Sequence, residues 1–206
     1  MLKPRRGGEP IPDAKRNSIW ERFYAQFHFA PSSHTFPSIR EPSPSVSYSI
    51  AEAFDGRHRN GVEVMPRFYE TALRVCEAIA GPAGQLIALD WQHVCYYFDP
   101  SVHKEEWEIS PLPNGDYYIF LSTDLADGWF GHPWEKSICV FGRRALRAVE
   151  QDPPWLFRAP IRRDGIRCCP DCFVAVPNYV SSCPACGFHV GRQLPPKHIP
   201  RMRLES

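Results

Sequence analysis

Five of the chain's eight cysteines fall within "CCPDCFVAVPNYVSSCPACG", residues 168–187. Cys169/Cys172 and Cys183/Cys186 are Cys-x-x-Cys pairs, each with Pro second, separated by ten residues. Such a turn aims two thiolates and several backbone amides at one point. Two turns held face to face make a tetrahedral site for one Zn2+. The intervening "FVAVPNYVSS" reads as a hairpin: strand-like at Phe173, Val174 and Val176, turning near Pro177–Asn178. Gly187 follows the second pair, where the chain needs an unhindered or left-handed backbone. Cys168 breaks the spacing and is placed outside the site; His189 is not needed once four thiolates are present. Two disulfides are the main rival, whereas a redox site needs only one pair beside a strand–helix unit. Four thiolates leave no open coordination position, so the expected metal is structural. A module of about thirty residues buries little core, and metal binding would supply its folding energy, on the order of 10 kcal/mol or more.

A second group of reactive side chains lies upstream. "ALDWQH" holds Asp90 and His93; "DGWFGHPWEKS" holds Trp129, His132, Trp134 and Glu135. His132 and Glu135 are candidates for a general acid/base pair, with Asp90 or His93 alongside. The competing reading is structural: Gly131 and Pro133 shape a tight turn, His132 hydrogen-bonds across it, and Trp129 and Trp134 plug the end of a sheet. No nucleophile accompanies the candidate base. The chain has no glycine-rich phosphate loop, Gly-x-Ser-x-Gly elbow or His-Glu-x-x-His pair. Cys139 sits in an apolar strand pattern and is a poor nucleophile.

The net charge is +1, unevenly spread: residues 158–206 hold eight Lys/Arg against three acids. Arg158, Arg162, Arg163 and Arg167 crowd ahead of the cysteines. They either offset the formal −2 of a four-thiolate zinc or meet an acidic partner. The candidate partner-binding residues are Trp129, Trp134, Arg162, Arg163 and Arg167, facing a protein or a nucleic acid. Hydrophobic content of 43% and charged content of 23% suit a globular domain. No run of about 18 apolar residues predicts a membrane span, and the basic N-terminus has no apolar stretch of the kind a signal peptide carries. The isolated thiols Cys76, Cys95 and Cys139 suit a reducing, cytoplasmic setting.

The elements that must position these residues follow from periodicity. Ile19, Trp20, Phe23, Tyr24 and Phe27 recur at helical spacing, with Ser18 and Glu21 spaced as a capping box. "SVSYSI" alternates as a half-buried strand. "PRFYETALRVCEAIAG" is a helix with Pro66 in its first turn, a stripe of Phe68, Ala72, Val75, Cys76 and Ile79, and Gly81 as its stop. "QLIALDW" and "HVCYYFDP" read as short strands, or as one strand broken near Trp91, and a strand leaves the Asn114–Gly115 turn. "LADGWFGHPWE" reads as a Gly-punctuated loop, "KSICVFG" as a strand and "RRALRAVEQ" as a helix; no internal repeat of useful length is apparent. The predicted fold class is α+β: an antiparallel sheet with helices packed on one face, plus a small C-terminal zinc ribbon. Its organisation is a disordered basic tail at 1–16, an α+β domain at 17–152, a linker at 153–166, the ribbon at 167–192 and a basic Pro-rich tail at 193–206.

"WERFYAQFHFAPS", "IREPSPSVSYSI", "ALDWQHVCYYFDP" and "PNGDYYIFLSTDLADGWFGHPWEKSICVFG", in this order across about residues 18–150, resemble the bacterial family called domain of unknown function 2716. Asp90–His93 matches its Asp-Trp-Gln-His stretch, and Phe130–Glu135 its Phe-Gly-His-Pro-Trp-Glu stretch. The resemblance implies no activity, substrate or catalytic residue. The cysteine module lies outside it and resembles a zinc ribbon of the rubredoxin-knuckle type. Such ribbons bind nucleic acid or protein, or cap a domain. Three functions follow as expectations: a cytoplasmic binding or accessory protein, an enzyme using Asp90, His93, His132 and Glu135, or a ribbon that only seals the domain.

Overall fold

The computed structural model of the chain describes residues 8–54, 61–102 and 107–191. One antiparallel sheet of nine strands organises them, in the order β1-β4-β3-β5-β6-β7-β2-β8-β9. The strands are β1 (Gly8–Pro10), β2 (Ser45–Ser49), β3 (Leu86–Asp90), β4 (Tyr96–Phe98), β5 (Tyr118–Leu121), β6 (Gly128–His132), β7 (Ser137–Phe141), β8 (Pro160–Arg163) and β9 (Ile166–Arg167). Three α-helices pack on them: α1 (Asp13–Phe27), α2 (Gly61–Ala80) and α3 (Arg143–Gln151).

The helices cover both faces of the sheet, not the one face expected. Side chains alternate along a strand. Leu86, Ala88, Phe120, Trp129, Ile138 and Val140 face one way, joining Phe68, Ala72, Val75, Cys76 and Ile79 of α2 and Ala145, Ala148 and Val149 of α3. Ile87, Leu89, Ile119, Leu121, Phe130, Cys139 and Phe141 face the other way, onto Ile19, Phe23 and Phe27 of α1. Both residue parities are apolar because both faces are buried, the condition that erases a strand's polar alternation.

The α2 stripe is the one expected, although the helix starts earlier and holds Pro66 inside it. Gly81 ends it with φ +53, a conformation that favours glycine. Helix α1 also starts early. Pro12 precedes it with no side-chain cap, so Ser18 lies inside the helix and the expected capping box does not form. Residues 8–16 are no tail: Gly8–Pro10 pair with β4, and buried Ile11 donates its N–H to Cys95 O at 2.8 Å. Residues 1–7 and 193–206 of the expected tails lie outside the described residues.

Two further expectations change. "GWFGH" is a fully buried strand, β6, and not a loop. Its glycines serve close packing: a Cβ on Gly128 would collide with the Phe141 ring, and one on Gly131 would press on Pro113 and the Tyr118 carbonyl. The stretch expected as a linker carries β8, paired with β2, and β9, paired with β8. The sheet therefore runs without a break into the cysteine module. Asp127 fixes the start of α3, taking the Arg144 N–H at 2.8 Å on Oδ1 and the Arg144 guanidinium at 2.8 Å on Oδ2.

Gly128→Ala forces a methyl group into this packing and is expected to cost about 1–3 kcal/mol, the usual cost of overpacking. The check is a urea titration showing a lower midpoint at unchanged slope.

Candidate metal centre and adjoining cleft

The sulfur atoms of Cys169, Cys172, Cys183 and Cys186 all lie within 4.8 Å of one another. Cys169–Cys186 and Cys172–Cys183 are separated by 3.6 and 3.5 Å. A tetrahedral centre with metal–sulfur bonds of about 2.3 Å has edges of about 3.8 Å, so the four thiols fit one metal ion. Cys168 and His189 stay outside this cluster.

The local fold is a repeat offset by fourteen residues, which the sequence reading missed. Cys169 N–H bonds Val174 O, and Cys183 N–H bonds Phe188 O. Phe173 N–H returns to Cys169 O, and Gly187 N–H to Cys183 O. Phe173 and Gly187 share a left-handed backbone, φ +58 and +78. The amides of Val174 and Phe188 bond to the Cys172 and Cys186 sulfurs. The ten residues between the pairs do not form the expected hairpin. Each pair is closed instead by its own bridge, Cys168↔Ala175 and Ser182↔His189. The visible signal was Cys-Pro-x-Cys-x-x-x-Val, ending at Val176 and Val190.

Arg167 ties the halves together. Its guanidinium donates to Val180 O at 2.6 Å, Gly191 O at 2.8 Å and Val190 O at 3.1 Å. Between module and sheet edge lies a cleft of about 610 Å³, walled by Phe36, Glu135, Arg162, Arg167, Asn178 and Phe188 among others.

Arg162 is held within the protein. Its Nε donates to Glu41 Oε1 at 2.7 Å, and its two terminal nitrogens grip Glu135 at 2.6 and 2.7 Å. All three side chains are nearly buried, at 12%, 1% and 11% exposure. Burial alone would raise the Glu135 pKa; the Arg162 bonds and charge, with Ser137, hold it below the usual value.

His132 and Glu135 come close without forming an acid–base pair. The His132 ring Nδ1 accepts the Glu135 N–H at 3.1 Å, which places the ring proton on Nε2. That proton goes to Ser38 Oγ at 2.9 Å. Ser38 meets Tyr117 Oη at 2.7 Å, and Tyr117 donates to Ser32 O at 3.0 Å. His132 is 1% exposed, and burial is the main cause of its pKa falling to about 4. Asp90 and His93 form a different group, at 2.8 Å, and Asp116 joins them.

Among the candidate partner-binding residues, Trp129 is buried and its indole donates to Pro111 O. Trp134 is 43% exposed, against Tyr117, and Arg163 is exposed on β8. Sequence reasoning missed Glu41, Ser38, Tyr117 and Asp116. Only Asp116, beside the Asn114–Gly115 turn, carried a local signal.

Two outcomes test this network. Unfolded histidine titrates near about 6.5 and folded His132 near about 4. In that window the unfolded chain binds the extra proton. The neutral ring's contribution is therefore complete above about pH 6.5 and lost as pH falls toward 4, on the order of 3 kcal/mol. His132→Gln should flatten the fall in urea midpoint between pH 7 and pH 5 relative to the parent protein. Arg162→Met strands two carboxylates and is expected to cost about 3–5 kcal/mol by denaturation at pH 7; Arg162→Met with Glu135→Gln should recover part of it.

Comparisons with known proteins agree on one family. Residues 10–146 match the family model described as "Protein of unknown function (DUF2716)". "Uncharacterized protein YxiI" of Bacillus subtilis (strain 168) is 32% identical over 155 residues, covering 72% of this chain and 95% of that protein. No solved structure matches the chain. The cysteine module lies beyond the residues that the family model matches. The match runs from Pro10, at the end of β1, into the first turn of α3, leaving β8 and β9 outside it, and the chain belongs to the DUF2716 family.

Proposed function

We propose that the protein is a non-catalytic binding protein whose C-terminal module is held by one structural Zn2+ and docks a partner protein at the cleft beside it. The observation that carries this reading is the four-thiolate cluster built onto the edge of the sheet. Its sulfur spacing suits zinc, its donors are all soft thiolates, and four protein ligands leave no position for a substrate.

The surroundings favour a protein partner. Exposed apolar side chains gather on the module and the cleft mouth: Phe36 at 43%, Val174 at 45%, Tyr179 at 79% and Phe188 at 44%. Clustered aromatic exposure of this kind marks protein contacts. Arg162 and Arg167, the arginines that wall the cleft, already serve carboxylates and carbonyls of this chain. Phosphate contacts need free cations, so a nucleic-acid partner has less support. Catalysis at the cleft has less as well, since His132 is buried neutral and Glu135 is neutralised by Arg162. No helix among the described residues is long and apolar enough to cross a membrane; the cytoplasm remains the proposed setting.

Protein purified without chelator should carry close to one equivalent of zinc by elemental analysis. Cys169→Ser and Cys183→Ser should each lose it, and less than about half an equivalent in the parent protein overturns the zinc reading. A photo-crosslinking residue at position 188 should trap one discrete protein in cells, and the adduct should vanish in Cys169→Ser. Cross-linking to nucleic acid, or to nothing specific, defeats the docking reading.

A further inference from the structure

Away from the cysteines, two strands bring three metal-ligating side chains to one point. Asp90 ends β3 and is paired in register with Tyr118 of β5. Asp116 lies two residues before that same tyrosine, and His93 sits three residues past Asp90 in the turn toward β4, where its N–H meets Asp90 O at 3.5 Å. His93 Nδ1 is 2.8 Å from Asp90 Oδ1 and 3.8 Å from Asp116 Oδ2. The three donor atoms all lie within 4.8 Å of one another.

The carboxylates are withdrawn from water while the imidazole is open to it: side-chain exposures are 14% for Asp90, 10% for Asp116 and 66% for His93. Among the described residues no Lys or Arg forms an ion pair with either carboxylate; both pair with His93. Both oxygens point at the same ring nitrogen, which can satisfy one hydrogen bond. Asp116 is oriented from behind by the Tyr117 N–H on Oδ1 at 2.7 Å and by the Gln92 amide. Outer hydrogen bonds of this kind fix a ligating carboxylate.

We infer that Asp90, His93 and Asp116 form a second metal site, independent of the cysteine centre, that takes a divalent first-row cation such as Mn2+ or Fe2+. The donor set decides the class. One imidazole with two carboxylates suits these ions, whereas Mg2+ and Ca2+ prefer oxygen donors alone. Three protein ligands leave positions for water, and the exposed His93 opens them to solvent. The site differs from the cysteine centre in this respect: it can accept a further ligand on the metal.

Mn2+ tests this without disturbing the cysteine centre, because thiolates select softer ions. The full chain, carrying one equivalent of zinc at the cysteine centre and no excess, is titrated with Mn2+ and the free-ion paramagnetic resonance signal is followed. One saturable Mn2+ per chain is expected, with nitrogen coupling from the bound imidazole in pulsed spectra. His93→Gln should abolish the coupling. His93→Gln and Asp116→Asn should each weaken binding at least ~10-fold, while Glu150→Gln on α3 should bind like the parent. His93 is exposed, so its variant keeps the fold and remains informative if Asp116→Asn does not. No saturable binding, binding without nitrogen coupling, or equal affinity in His93→Gln overturns the site.

Discussion

A buried guanidinium holds together the end of the sheet that adjoins the cysteine module. Arg162 on β8 joins Glu41, from the crossing that follows α1, to Glu135, at the turn between β6 and β7. A charge taken out of water is tolerated only with close opposite charge and satisfied hydrogen bonds. The pairing thus dictates where three distant segments lie. Ser47 reinforces it by donating to Glu41 at 2.6 Å, and Ser137 by donating to Glu135 at 2.6 Å. The same contacts occupy the Arg162 guanidinium and the Glu135 carboxylate within the protein. Their charges neutralise each other, and what they supply is position.

That position passes along the chain to the module. Because β8 is fixed by Arg162 and by pairing with β2, β9 enters the cysteine region at a set angle. Arg167, the last residue of β9, then reaches carbonyls on both sides of the second pair. The two halves of the module resemble each other bond for bond, so one metal ion would lie near their local two-fold relation. Val176 and Val190 back the cluster from equivalent places. A core this small cannot hold itself, so a metal bound by the four thiolates would supply the stability that apolar burial does not.

The rest of the fold follows from covering one sheet on both faces. Aromatic side chains carry the α1 face, with Phe23, Phe27, Phe29, Tyr117 and Phe130 in mutual contact. On the opposite face α2 and α3 close over Trp129 and Phe157, which meet at 5.5 Å. Polar groups are admitted where a line of partners exists, as from His132 through Ser38 and Tyr117 to Ser32. The family match covers β2 to β7 of this sheet, while β8, β9 and the cysteine module extend it at one edge.

Much of this was legible locally. The α2 stripe, strand character around β3 and β4, the strand after Asn114–Gly115 and the clustering of Cys169, Cys172, Cys183 and Cys186 rest on spacing, and spacing survives folding. Other features could not be read from neighbours in sequence. The serines of β2 looked solvent-facing, yet Ser45 and Ser47 are buried: Ser47 bonds to Glu41, and the Ser45 backbone to Asp164. The glycines of β6 looked like loop punctuation, yet they make room for Phe141 and Pro113. His132 and Glu135 could be read as an acid/base pair or as structural, and only the fold shows that Arg162, twenty-seven residues on, grips the Glu135 carboxylate. By itself the sequence determined helices, strands and a thiolate centre, since each depends on short-range geometry. Which charges neutralise one another, which face each helix covers and where Asp116 meets His93 were decided by the tertiary structure alone. Burial and electrostatics act between residues that only the completed sheet makes neighbours.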